Sequence, residues 1–254
     1  MNTNHPAAVT KQESTMQTTP SNLIRWAGLS AVAGGSLFAG IQAVHPPETL
    51  SWVITVRWAA VHSTGVAMCL LILLGITGIY ARQVRKAGWL GLAGYLLFSA
   101  MWALTTAFQF IEAFILPPLA AEAPKFVAGL EGMVGGHPSD VDLGAVPVVW
   151  TVTGLLYVAG GVLFGVATLR AGILPRWAAG LLTVGTVLPL LASSLVPHPF
   201  DRIFAVPVGL ALASLGFALW AGPPEHAVRS APGGAAAAPR SAPRAVLATQ
   251  AGDA

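Results

Sequence analysis

Three short motifs set a histidine beside a carboxylate. They are His45-Pro46-Pro47-Glu48, His137-Pro138-Ser139-Asp140 and His198-Pro199-Phe200-Asp201, each reading His-Pro-x-acid. With six histidines in the chain, and a chance of roughly 0.003 that any one is followed in this way, three copies are not a compositional accident. Histidine and carboxylate suit Zn, Fe or Mn. His45, His137 and His198 are therefore candidate metal ligands, with a divalent metal as the implied cofactor. The same groups serve as general acids and bases, which makes Glu48 and Asp201 candidate catalytic residues. A plainer reading is a turn: proline stiffens the loop and the acid caps or charge-complements the following helix. A protonation sensor is a third reading. The second and third copies share more. Asp142-Leu143-Gly144 runs into Ala145-Val146-Pro147-Val148, and Asp201-Arg202-Ile203-Phe204 runs into Ala205-Val206-Pro207-Val208. Proline suits a helix start, where its missing N–H has no helical partner anyway.

Two further ionisable residues lie inside apolar runs, where charge is expensive and usually faces a bundle interior. His62 sits about 12 Å into its run at 1.5 Å per residue. Trp58, His62, Gly65 and Cys69 follow at spacings that place them on one helical face. Glu112 sits about 6 Å from the end of the next run, closing a stripe of Trp102, Thr105, Thr106, Gln109 and Glu112. Glu112 must be paired, protonated or in contact with water, with Arg57 and His62 as the expected partners. It reads either as a polar lock between two helices or, with His62, as a catalytic acid–base pair. Trp58, Trp102, Gln109, Trp150 and Tyr157 are the candidate substrate-binding residues. Trp150, Thr153 and Tyr157 also fit a simple packing seam, and Gly161 and Gly165 allow close helix approach. Trp52, Trp58 and Trp89 fit an interfacial aromatic belt.

The elements that must position these residues follow from composition. Of 254 residues, 55% are hydrophobic and only 9% charged, with a mean hydropathy of +0.70. A soluble domain carries roughly 25% charged residues, so these values exclude a soluble globule and imply a polytopic membrane protein. Apolar runs lie near 23–44, 54–80, 89–116, 145–169, 177–196 and 203–221. Each is long enough to cross about 30 Å of hydrocarbon as a helix, and none alternates as a membrane barrel strand would. The expected fold is an all-α bundle of about six transmembrane helices over 22–221, between disordered tails at 1–21 and 222–254. The first run reads as a retained span rather than a cleaved signal. With both termini cytoplasmic, only Arg57, Lys125 and Arg202 of the thirteen Lys and Arg lie outside, as the positive-inside rule requires. All three His-Pro-x-acid loops then share the outer face. The expected location is the cell membrane and the expected partner the bilayer. Basic residues are too scattered for nucleic-acid binding. The lone Cys69 can form no intrachain disulfide or Cys-based metal site and reads as a core residue.

The stretch Leu169-Arg170-Ala171-Gly172-Ile173-Leu174-Pro175-Arg176-Trp177-Ala178 and the run Gly78-Ile79-Tyr80-Ala81-Arg82-Gln83 are similar to small actinobacterial multi-pass proteins of unknown function. That resemblance implies a six-helix integral membrane protein and carries over no catalytic residues. In its economy of polar groups, the chain also resembles small integral membrane terpene cyclases. That likeness implies a membrane enzyme acting on a lipophilic, isoprenoid-like substrate, with Glu112 and His62 in acid–base roles and aromatic side chains steadying a carbocation. A metal-assisted lipid hydrolase is a sibling reading. A non-enzymatic metal-binding, sensing or accessory subunit is an alternative, and so is a small transporter, although Pro189 is the only central helix-breaking candidate. No Gly-rich phosphate loop, Gly-x-Ser-x-Gly elbow or His-Glu-x-x-His helix is present.

Overall fold

A computed structural model describes residues 19–192, 195–197 and 200–222. The expected tails therefore fall outside the described residues, apart from their innermost positions. Those residues are helical, with no strand among them. Helix α1, Pro20–Val44, begins just ahead of the expected boundary because Thr19 caps it: its hydroxyl accepts the Asn22 N–H at 3.3 Å, and Pro20 occupies the first turn. A one-turn helix α2, Leu50–Val53, leads into α3, Val56–Phe110. A five-residue π-helix, Ile111–Ile115, continues into α4, Leu116–Glu122. Then follow α5, Pro124–Val134, and α6, Val146–Ala171. Helices α7, Arg176–Gly185, and α8, Leu188–Ala192, come next, and a 3-10 turn, Phe200–Ala205, introduces α9, Val206–Ala221.

Helix α3 is two antiparallel arms, not one rod. At Gly88 the backbone takes φ 58° and ψ −160°, a conformation open only to glycine, and the chain reverses there. Contacts across the hairpin follow in antiparallel order. The Tyr80 and Tyr95 rings stack at 4.6 Å and Thr77 meets the Tyr95 hydroxyl at 3.1 Å. Further along, Gly65 packs on Gln109 and Trp58 reaches Glu112.

Four segments are long and apolar enough to cross a bilayer: Pro20–Val44, Val56–Glu122, Val146–Ala171 and Phe200–Ala221. The second comprises both arms of the hairpin. A shorter apolar pair of helices covers Arg176–Ala192. Leu74, Leu155, Leu210 and Phe217 are exposed on the outside of the bundle, more apolar surface than a protein in water tolerates.

Small residues bring the helices together. Helices α1 and α9 run antiparallel with Gly28 against Gly216 and Gly35 against Gly209, and Ala31 of α1 lies on Gly75 of α3. The second arm of α3 meets α6 where Gly160 faces the Phe98 backbone. As the spacing suggested, Gly161 and Gly165 are contact points; their neighbours are Thr186 and Thr183. The core so formed contains Ile72, Ile76, Phe98, Trp102, Phe164 and Leu212. Cys69 is buried in it as a free thiol.

The chain between the third and fourth apolar runs is not an open loop. Helices α4 and α5 fold over the end of the α3 hairpin and close a second apolar cluster with α2, containing Val53, Trp58, Leu116, Val127, Leu130 and Leu143. Trp58 is thus fully buried and is not part of an interfacial belt, whereas Trp89 is 85% exposed.

Candidate acid–base site

The π-helix prepares the site. In an α-helix the Leu116 N–H would bond to the Glu112 carbonyl, but here it bonds to Ile111. Pro117 and Pro118 follow and bring no N–H of their own. The Glu112 carbonyl is left open, and the indole N–H of Trp58 donates to it at 2.8 Å. The wider turn also sets the Glu112 side chain, buried, against the first arm of α3. Single π turns inside α-helices recur at functional sites for this reason.

Around the Glu112 carboxyl, the Gln109 amide donates to Oε2 at 3.0 Å, and His62 Nε2 lies 3.3 Å from the same oxygen. His62 is fully buried and stacked on Trp58 with ring centres 4.1 Å apart. Its Nδ1 lies 3.2 Å from the Trp58 carbonyl. A carbonyl only accepts, so Nδ1 carries the proton, and the neutral ring presents its Nε2 lone pair to Glu112. A proton on the carboxyl would face this lone pair, so the two atoms are placed to exchange it. Arg57, the other expected partner, is elsewhere: it donates to the Val44 carbonyl at 2.9 Å and lies over Trp52.

Above this pair opens a cavity of about 310 Å³. Its walls carry Met101, Thr105, Phe108, Gln109 and Glu112 from α3 and the π-helix, Trp150, Thr153 and Tyr157 from α6, His45 and Glu48 from the loop after α1, and Arg202 from the turn before α9. The first His-Pro-x-acid segment meets Arg202, the residue that follows the third, here. Glu48 pairs with Arg202, and His45 Nδ1 lies 3.5 Å from Glu48. The His45 ring stands nearly perpendicular to His62 at 5.0 Å. Glu48 therefore does not cap α2, whose Thr49 makes no side-chain cap.

No match to this chain is found among protein-family models, curated proteins or solved structures.

Of the candidates read from sequence, the fold brings together Glu112, His62, Trp58, Gln109, Trp150, Tyr157, Glu48 and His45. Three others, Trp102, Asp201 and His137, do not line the cavity. Trp102 packs into the core against Phe38 and Phe98, with ring centres at 5.3 and 5.9 Å, and does not reach the cavity. Asp201 lies in the 3-10 turn, and its neighbour Arg202 is the one that lines the wall. His137 is exposed in the loop after α5, and His198 lies outside the described residues. Among the described residues, which include His45 and His137, no three His, Cys, Asp or Glu are grouped to hold a metal ion. In the second motif copy Asp142, not Asp140, makes the turn, accepting the Gly144 N–H at 2.8 Å.

Arg202 and Phe108, both on the cavity wall, were not among the sequence candidates, and one buried acid was also passed over. Glu131, on α5, is 1% exposed, and neither carboxyl oxygen has a hydrogen-bond partner among the described residues. It interacts electrostatically with Glu112, and burial pushes its carboxyl up to about 8. The signal was available: Val127, Leu130, Glu131 and Val134 follow at helical spacing, placing Glu131 on the apolar face.

Proposed function

We propose that this chain is a membrane enzyme that performs acid–base chemistry on a lipophilic substrate, with Glu112 as the group that exchanges a proton with it. The observation that carries the reading is the 3.3 Å approach of His62 Nε2 to the Glu112 carboxyl, which lines a largely apolar cavity. A carboxyl and an imidazole set this way form a general acid–base pair. His62 can return or take up the proton that Glu112 gives or receives, so no outside co-reactant is needed for an isomerisation or ring closure of an unsaturated isoprenoid. Phe108, Trp150 and Tyr157 supply aromatic walls for an apolar chain and for positive charge developing on it.

The protein works in this reading as a six-crossing bundle in the cell membrane with both termini cytoplasmic. Helix α3 crosses twice and α7–α8 once. Arg82, Arg85, Lys86, Arg170 and Arg176 then share the cytoplasmic end with the exposed Trp26, Trp89 and Trp177. In a chain lacking Cys69, a cysteine replacing His137 reacts with an impermeant maleimide on intact cells, and one replacing Lys86 does not. The reverse pattern overturns the orientation.

The functional test is incubation of the purified chain with apolar lipid extracts, followed by untargeted mass spectrometry. A neutral lipid consumed as an isomer of equal mass appears is the expected result. An extract left unchanged overturns the reading.

A further inference from the structure

The site's hydrogen-bonding inventory narrows the class of molecule it can take. Most polar groups on the cavity wall are already used. Thr105 donates to the Met101 carbonyl and Thr153 to the Val149 carbonyl, at 3.0 and 2.8 Å. The Gln109 amide donates to Glu112. Two buried wall donors remain without a hydrogen-bond partner among the described residues: the Tyr157 hydroxyl and Arg202 Nε. Buried donors left unpaired are costly, so a ligand that accepts from them is favoured.

Charge sets a second limit. The one wall guanidinium, Arg202, is already held by Glu48. An anion entering the cavity therefore finds no uncompensated cation on the described wall. Burying a charge without a counter-charge is a penalty that binding must overcome.

A third observation gives the apolar part a place. Beside the cavity, between α3 and α6, runs a groove of about 220 Å³ lined only by apolar side chains, among them Leu104, Ala107, Ile111, Val146 and Val149. Phe108 lines both spaces, and its ring meets Trp150 edge-on at 5.2 Å. Exposed Val148 and Ile111 flank the groove on the outside of the bundle.

We infer that the site takes an uncharged lipid bearing an acceptor oxygen at one end, an alcohol or carbonyl isoprenoid rather than a phosphorylated one. Its oxygen sits between Tyr157 and Arg202, and its chain leaves through the α3–α6 groove toward the bilayer. The inference rests on the proposed function, whose substrate it names by class, but it concerns binding and can stand or fall separately.

The test is binding of three probes that share one C15 isoprenoid chain, namely farnesol, farnesyl diphosphate and farnesene, to the full chain in neutral-lipid nanodiscs, read by tryptophan fluorescence. Farnesol is expected to bind at least about tenfold more tightly than the diphosphate. Tyr157→Phe is expected to weaken farnesol by about three- to tenfold and to leave farnesene unchanged, because only farnesol loses a hydrogen bond. Ala107→Trp, which fills the groove from an exposed position, is expected to weaken both. Equal or tighter binding of the diphosphate overturns the inference. So does a Tyr157→Phe effect that is absent or falls equally on farnesol and farnesene, and so does wild-type affinity in Ala107→Trp. The expected binding pattern without any lipid consumption removes the enzyme reading and leaves this one. Consumption of a phosphorylated lipid does the opposite.

Discussion

The two ends of the α3 hairpin are built on opposite rules. Toward the Gly88 turn and along α1 and α9, glycine and alanine face each other, backbones nearly touch, and the interior is filled. At the other end large side chains, a π turn and the α4–α5 cover hold helices apart and leave a cavity lined by the scarce polar groups. Membrane helices gain little from hydrophobic association, so close van der Waals contact must hold the bundle together. The tight end provides that contact, and the open end is free to carry unpaired and half-paired polar groups that would otherwise be too costly.

The largest effect that would break this division belongs to the tight end. A side chain at Gly35 would place its Cβ 2.5 Å from the Gly209 carbonyl oxygen. Gly35→Leu is expected to cost about 3 kcal/mol or more by overpacking backbone against backbone, seen as loss of a monodisperse, cooperatively melting species in detergent. A smaller effect is expected at the open end. Trp58→Phe keeps the stack on His62 but removes the donor to the Glu112 carbonyl. It should lower stability by about 1–3 kcal/mol, the cost of a buried acceptor left unpaired. A melting midpoint unchanged from wild type would show that the π turn does not depend on the indole.

The smallest effect depends on pH and sharpens the contrast. The Glu131 carboxyl is raised from its ordinary value of 4.5 to about 8 by burial, so the folded chain holds a proton there that the unfolded chain releases. The stability linked to this group is complete below about pH 4.5, falls as pH rises, and is gone above about 8. Glu131→Gln removes the ionisation. It should flatten the decline in stability between pH 5 and 8, at most about 1.4 kcal/mol per pH unit for one group, and raise the melting midpoint at pH 8. An equally steep decline in the variant would place the pH dependence elsewhere.

Much of the fold was readable because apolar length and helical periodicity are local properties. The six apolar runs correspond to α1, the two arms of α3, α6, α7–α8 and α9 with its leading turn. Trp58, His62, Gln109 and Glu112 were legible as members of two helical faces, and the hairpin brings those faces together. What escaped depends on non-local or backbone facts. The π turn at Ile111–Ile115 is set by two prolines that follow it and by an indole about fifty residues away in sequence. The α4–α5 cover was hidden because its helices are short and follow prolines, which read as loop punctuation. With it went Glu131. The repeated His-Pro-x-acid motif misled in part. Its three copies suggested one shared role, yet the first pairs with Arg202 beside the third while His137 of the second is exposed. The same local sequence gains different partners from whatever packs over it. Trp102 fails similarly: helical spacing put it on the Glu112 stripe, but the approach of α1 turns that stretch into core.

The most direct test of the account is the turnover of the consumed lipid by Glu112→Gln, compared with wild type at equal amounts of folded protein. The amide keeps the size of the carboxyl and its contact with Gln109's side of the cavity but cannot exchange a proton with substrate. Turnover is expected to fall by about 100-fold or more, the contribution of a positioned general acid or base, with the melting midpoint close to that of wild type. Undiminished turnover by a folded Glu112→Gln chain would contradict the assignment of the chemistry to this carboxyl.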